Sequence, residues 1–260
     1  MALFHINFSS KVLGMDVQMN VIYPQATDRE EEGVNFRSDG YPVLYLLHGM
    51  GSDYTSWCRR TSIERYATAK GLAVIMPEVL TSWYTDMAYG PRYWTFVAEE
   101  LPQIVHEFFP RLSTKREDTF AAGLSMGGYG ALKLGLLKPD AFSHVAPLSG
   151  GLDVVRICRD IVASNEPQPI FEQVFGSLPL LEGSPNDLFA AAETLAKSGQ
   201  QRPQIYMWCG TEDFLYEDNI RMKEHLLKLG YDLTYEESPG DHSYGYWDRQ
   251  IQTVLDWLPL

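Results

Sequence analysis

The chain has 260 residues and a formal net charge of −13, with 45% hydrophobic and 21% charged residues. That balance predicts a single globular domain with a substantial core. It argues against a nucleic-acid partner, which needs clustered Lys and Arg, and no run approaching 18 apolar residues is present to span a membrane.

In chain order, Met1–Lys11 reads as a first strand, with no basic leader and no long apolar run that would suggest a signal peptide. Alternation in Asp16–Tyr23 predicts an early antiparallel strand, and the acidic stretch Thr27–Asp39 an exposed loop. Pro42–His48 is almost continuously apolar, as a strand covered on both faces should be. A helix is expected over Ser62–Gly71, a buried strand over Leu72–Pro77, and a helix from Trp94 to Phe109 closed by Pro110. Asp118–Leu132 then reads as strand, turn and helix. Strands follow at Phe142–Ser149 and Gln204–Cys209, then a helix from Glu217 to Leu229, a strand at Leu233–Glu237 and a closing helix over Tyr246–Leu258. Strands separated by helices of this length predict an α/β fold with a doubly wound, mostly parallel sheet. Only Leu152–Gln201 breaks the rhythm. It carries prolines at 167, 169, 179 and 185 and is too long for a plain connection, so a small helical cap over the strand ends is expected there.

The turn in Asp118–Leu132 has the form Gly-x-Ser-x-Gly around Ser125. It sets the serine hydroxyl at the tip of a strand-to-helix elbow, where an acyl carbon can reach it. Gly123 and Gly127 flank the serine because a Cβ at either would collide as strand and helix come together. With 21 glycines in the chain the bare pattern is weak, and the buried strand before it and apolar helix after it give it weight.

A serine hydroxyl is a poor nucleophile until a base takes its proton. Six histidines are available, and only His242 lies in a loop between the last strand and the last helix, on the strand-end side of the elbow. His106 and His225 fall in predicted helices and His144 in a strand, where packing roles are expected. The acid must orient the imidazole. Asp213 follows a buried strand directly and completes the order Ser…Asp…His, while Asp218 and Asp241 are weaker rivals. Backbone donors for an oxyanion are expected from Met126, immediately after the nucleophile, and from Met50, supported by the flexible Gly49 after the His-Gly dipeptide. Five of the residues in Ser82–Thr95 are Trp or Tyr. Trp83, Tyr84, Tyr89 and Trp94 are therefore expected to wall the substrate pocket.

No metal site emerges, since there is no H-E-x-x-H, no cysteine pair and no aspartate-rich loop. The turn at 123–130 lacks the Lys-Ser/Thr end of a phosphate-binding loop. Cys58, Cys158 and Cys209 are widely spaced and read as reduced thiols of a cytoplasmic protein.

Taken together the motifs resemble the esterase-D group of α/β-hydrolases, and among them the bacterial tributyrin esterases. The matching stretches are Leu44–Met50, Ser82–Tyr84, Tyr93–Pro102, Arg116–Lys133, Gly210–Tyr216 and Gly240–His242, with Trp247. The resemblance implies a carboxylesterase for short-chain acyl esters that uses no cofactor. Its triad falls on Ser125, Asp213 and His242, its oxyanion donors on Met50 and Met126, and it hints at a homo-oligomer. Related S-formylglutathione hydrolases carry a cysteine soon after the His-Gly loop, whereas here Cys58 lies beyond that stretch. Acetyl-xylan and feruloyl esterases share the elbow and stay open as alternatives. A non-catalytic hydrolase-like binding module would need a broken triad, and none of the three positions is broken.

Overall fold

Eight strands form one sheet in the computed structural model, which describes residues 1–25, 37, 40–164 and 168–260. They are β1 (Ala2–Ser10), β2 (Met15–Tyr23), β3 (Val43–Leu47), β4 (Ala73–Pro77), β5 (Thr119–Leu124), β6 (His144–Leu148), β7 (Gln204–Gly210) and β8 (Leu233–Ser238). The spatial order is β1-β2-β4-β3-β5-β6-β7-β8. β1 and β2 pair antiparallel, as does β2 with β4, and every pair from β4 to β8 is parallel. The expected doubly wound sheet is therefore present, and it has the α/β-hydrolase arrangement. The expected loop over Thr27–Asp39 lies outside the described residues except for Arg37, which pairs with Asp118 at 2.8 Å.

Strand alternation sorts the core into two layers. Val43, Tyr45, Leu47, Ala121, Val145, Ile205 and Met207 face one side, where they pack with the helices Leu101–Phe108, Met126–Leu137 and Tyr216–Lys228. Leu44, Leu46, Phe120, Ala122, Leu148, Tyr206 and Trp208 face the other, against Ile63–Lys70 and Tyr244–Trp257. Burial on both faces explains the unbroken apolar runs of the central strands. Each fully buried Leu or Ile among them contributes about 1.5–3 kcal/mol.

The helix expected over Trp94–Phe109 is present as a continuous run from Tyr93 to Phe108, with a π turn at Phe96–Glu100 inside it. Pro102 accounts for the π turn, because it has no N–H to donate and its ring crowds the carbonyl four residues back. One expectation is corrected. The stretch Leu152–Gln201 divides in two. The helices Val154–Ser164, Pro169–Phe175 and Leu178–Leu181 stand over the strand ends as a cap would. The helix Leu188–Ser198 packs instead against the helix Met126–Leu137, and the Tyr231 hydroxyl donates to its Ala192 carbonyl.

Candidate active site

Loops leaving the carboxyl ends of β3, β5, β7 and β8 meet at one point of the sheet. Ser125 ends β5 with φ 55° and ψ −120°, a conformation that a non-glycine residue keeps only when its surroundings impose it. Those surroundings are backbone. The Ser125 N–H donates to the Leu148 carbonyl at 3.0 Å, and the Ser125 carbonyl accepts from Tyr129 and Gly151 at 3.1 and 3.2 Å. A Cβ on Gly123 would stand 2.4 Å from the Gly127 carbonyl oxygen, and one on Gly127 would stand 2.3 Å from that of Leu47. Only hydrogen fits at either position, so the strained elbow follows directly from the two glycines.

The helix Met126–Leu137 begins at the elbow, and its first helical bond is the one Tyr129 donates. The amides of Met126, Gly127 and Gly128 therefore have no carbonyl of the helix to pair with, and this end carries partial positive charge. On the other side, a Cβ on Gly49 would be 2.7 Å from Leu124 Cδ1 and 3.3 Å from the Ser125 Cβ. The turn after β3 thus presses its backbone against the serine. Behind it, His48 is buried, its Nδ1 within 2.9 Å of the Gly49 carbonyl and its Nε2 accepting from the Val79 amide. The Tyr84 hydroxyl donates to the His48 carbonyl at 2.9 Å and fixes the same turn from below.

His242 and Asp213 are paired. The imidazole Nδ1 lies 2.8 Å from one Asp213 carboxylate oxygen and 3.0 Å from the other. Asp213 is buried and also accepts the Leu215 amide at 2.9 Å, so its carboxylate is held on two sides. The ring of His242 leans on Phe214 at 4.5 Å and meets Trp247 edge-on at 4.8 Å. Trp247 is anchored by its own N–H to the Ser149 hydroxyl. Among the described residues no hydrogen bond joins the Ser125 hydroxyl to His242, although both line one cavity. Such contacts are often long in unliganded sites and tighten once substrate binds. The rival acids are engaged elsewhere. Asp218 is fully buried between Arg156 and Arg221, and Asp241 is exposed beside the histidine. His106 bonds the Pro102 and Ser113 carbonyls, and His225 that of Phe189.

Among the described residues two cavities open at Ser125. One, of about 300 Å³, is lined by Met50, Trp83, Ile157, Ile161, Phe171, Phe214 and Leu215, together with Arg156, Asp160 and Gln168. The other, of about 320 Å³, is lined by Gly49, Met50, Ser52, Arg60, His242, Ser243, Tyr244 and Trp247. Ile161, Gln168 and Phe171 also line a further cavity of about 500 Å³ between the cap helices.

The aromatic wall expected over Ser82–Thr95 is corrected. Only Trp83 lines a cavity at Ser125. Tyr84 is wholly buried beneath the β3 turn, Tyr89 is exposed with its amide on the Gln173 carbonyl, and Trp94 packs over the Lys133 ammonium. Most of the wall comes from the cap helices and from Phe214 and Leu215. Lys133 was not anticipated either. It is 1% exposed, and its Nζ donates to the Tyr84 carbonyl, the Thr85 hydroxyl and Asn186 Oδ1. Burial among neutral partners pushes its pKa down to about 7. Two of its bonds tie the Trp83–Thr85 turn, in which Trp83 and Tyr84 both have positive φ, to the elbow helix, and the third ties in Asn186.

Among the described residues no group of His, Cys, Asp and Glu could hold a metal ion, and no helix is long and apolar enough to cross a membrane. The three cysteines are unpaired, and burial pushes the Cys58 and Cys158 thiols up to about 11, which disfavours the thiolate.

The chain is similar to known proteins over nearly its whole length. Residues 10–258 match the family described as "Putative esterase". An acetyl esterase of Caldicellulosiruptor saccharolyticus is 33% identical over 99% of this chain and 98% of its own. Among solved structures, the substrate-bound FphF, a fluorophosphonate-binding serine hydrolase of Staphylococcus aureus, is 36% identical over 99% of this chain and 98% of that one, with a TM-score of 0.87. The S-formylglutathione hydrolase FrmB of the same organism is 35% identical over the same shares, with a TM-score of 0.85. The chain belongs to this esterase family and is a carboxylic ester hydrolase.

Proposed function

We propose that the chain is a serine carboxylesterase of the tributyrin-esterase kind, cleaving acetyl to butyryl esters through an acyl-enzyme. One observation carries the reading: the Asp213–His242 pair at 2.8 Å opens onto the same cavity as a serine held on a strained elbow. Asp213 keeps the proton on Nδ1, which leaves Nε2 free to take the Ser125 proton as the hydroxyl oxygen attacks the ester carbonyl. The carbonyl oxygen becomes an oxyanion that accepts from the amides of Met126 and Met50. As the tetrahedral adduct collapses, the imidazolium returns its proton to the departing alkoxide and the alcohol leaves. Water, deprotonated by the same imidazole, attacks the acyl-serine and releases the acid.

Support for the short acyl end comes from the relative named an acetyl esterase and from the cavity walled by Trp83, Ile157, Phe171 and Leu215. Its volume of about 300 Å³ lies at the low end for ligand sites. A p-nitrophenyl ester series from about two to twelve carbons tests the reading. kcat/KM is expected to peak at two to four carbons and to fall by about tenfold or more at ten. A maximum at ten or twelve carbons would overturn the short-chain assignment. A second reading, a thioesterase, is favoured only by the likeness to the S-formylglutathione hydrolase. A matched acetyl thioester cleaved more efficiently than acetyl esters in the same assay would support it.

A further inference from the structure

The two cavities at Ser125 are not equivalent, and the path of the proton tells them apart. His242 must hand its proton to the leaving oxygen, so the alcohol departs on the His242 side of the adduct. Of the two, only the cavity of about 320 Å³ is lined by both Ser125 and His242. The other is walled mainly by apolar side chains and suits the acyl chain. We propose that the His242-side cavity is a leaving-group subsite for alcohols carrying a carboxylate, with Arg60 as the residue that selects them. This rests on the esterase mechanism above.

Among the described residues Arg60 is the one Arg or Lys lining that cavity, in a chain whose net charge is −13. Among the described residues no carboxylate oxygen lies within 4.0 Å of its guanidinium, whereas the neighbouring Arg59 is 3.7 Å from Asp53. The guanidinium instead lies over the Tyr244 ring, 5.0 Å from its centroid. Tyr244 stands edge-on to Trp247 at 5.1 Å, and Trp247 meets His242, so the arginine rests on an aromatic ladder that ends at the catalytic base. Ser52 Oγ and the Tyr244 hydroxyl, 3.4 Å apart, add hydroxyl groups to the same wall. A neutral alcohol gains no ion pair from an unpaired guanidinium, whereas a carboxylate does. Arg60 is exposed, so solvent and salt screen the attraction and the preference is modest.

The test compares 3-acetoxybenzoate with 3-acetoxybenzamide, whose leaving phenols differ mainly in the remote charge. Wild type is expected to favour the carboxylate in kcat/KM by about three- to tenfold at low salt, mostly through KM, and to lose most of that preference near 0.5 M NaCl. In Arg60→Gln the ratio is expected to fall to about one, and Arg60→Lys should retain most of it. Retention by the lysine variant separates charge recognition from a purely structural stack on Tyr244. A wild-type ratio near one, or an unchanged preference in Arg60→Gln, overturns the subsite while turnover of both esters leaves the esterase reading standing. No turnover of either ester by wild type overturns both.

Discussion

Ser125→Ala is expected to lower kcat/KM for p-nitrophenyl acetate by about four to six powers of ten, with the thermal midpoint shifted by only a few degrees. Activity should collapse because the hydroxyl on which the acyl intermediate forms is removed. The fold should survive because it is the Ser125 backbone that is anchored, through Leu148, Tyr129 and Gly151, while its hydroxyl makes no bond that the fold relies on. The residual rate would come from the oxyanion donors and substrate positioning alone. Turnover within tenfold of wild type would remove Ser125 from the mechanism.

Asp213→Asn is expected to cost about 10⁴-fold in kcat, although the substituted side chain has the same shape. The carboxylate accepts both the Leu215 amide and the His242 Nδ1–H. An asparagine keeps the first bond by pointing its carbonyl oxygen at Leu215, which turns its NH₂ toward the imidazole. Nδ1 must then become the acceptor and the proton moves to Nε2, so no lone pair faces the serine. Steady-state kinetics at neutral pH, with circular dichroism to verify folding, check this. A loss below tenfold would shift the acid's role to another residue, with Asp218 excluded by its ion pairs to Arg156 and Arg221.

How much of the site was legible in the sequence depends on how local the constraint is. The elbow could be read because its geometry is written in two glycines adjacent to the serine, and GlyCβ positions at 2.3–2.4 Å from backbone oxygens leave no substitute. His242 and Asp213 could be read because a parallel sheet brings the carboxyl ends of β7 and β8 to the end where β5 delivers Ser125. The pocket wall could not. Trp83, Tyr84 and Trp94 look alike in a segment with no clean period, yet one lines the cavity, one holds the β3 turn and one covers Lys133. What separates them is a pair of positive-φ residues and a buried ammonium bonded across three segments, which are tertiary facts. Arg60 lies in a helix of only five residues, Ser56–Arg60, too short to register as a periodic pattern. The helix Leu188–Ser198 was grouped with the cap because chain continuity is visible in sequence and its packing against the helix Met126–Leu137 is not.

The central claim is that Ser125 is a nucleophile activated by His242. Its most direct measurement is incubation with a fluorophosphonate followed by intact-mass and peptide mapping. One adduct per chain on the peptide containing Ser125, formed in wild type and absent from Ser125→Ala, is the expected result. No adduct on active protein, or an adduct on another residue that persists in Ser125→Ala, would contradict it.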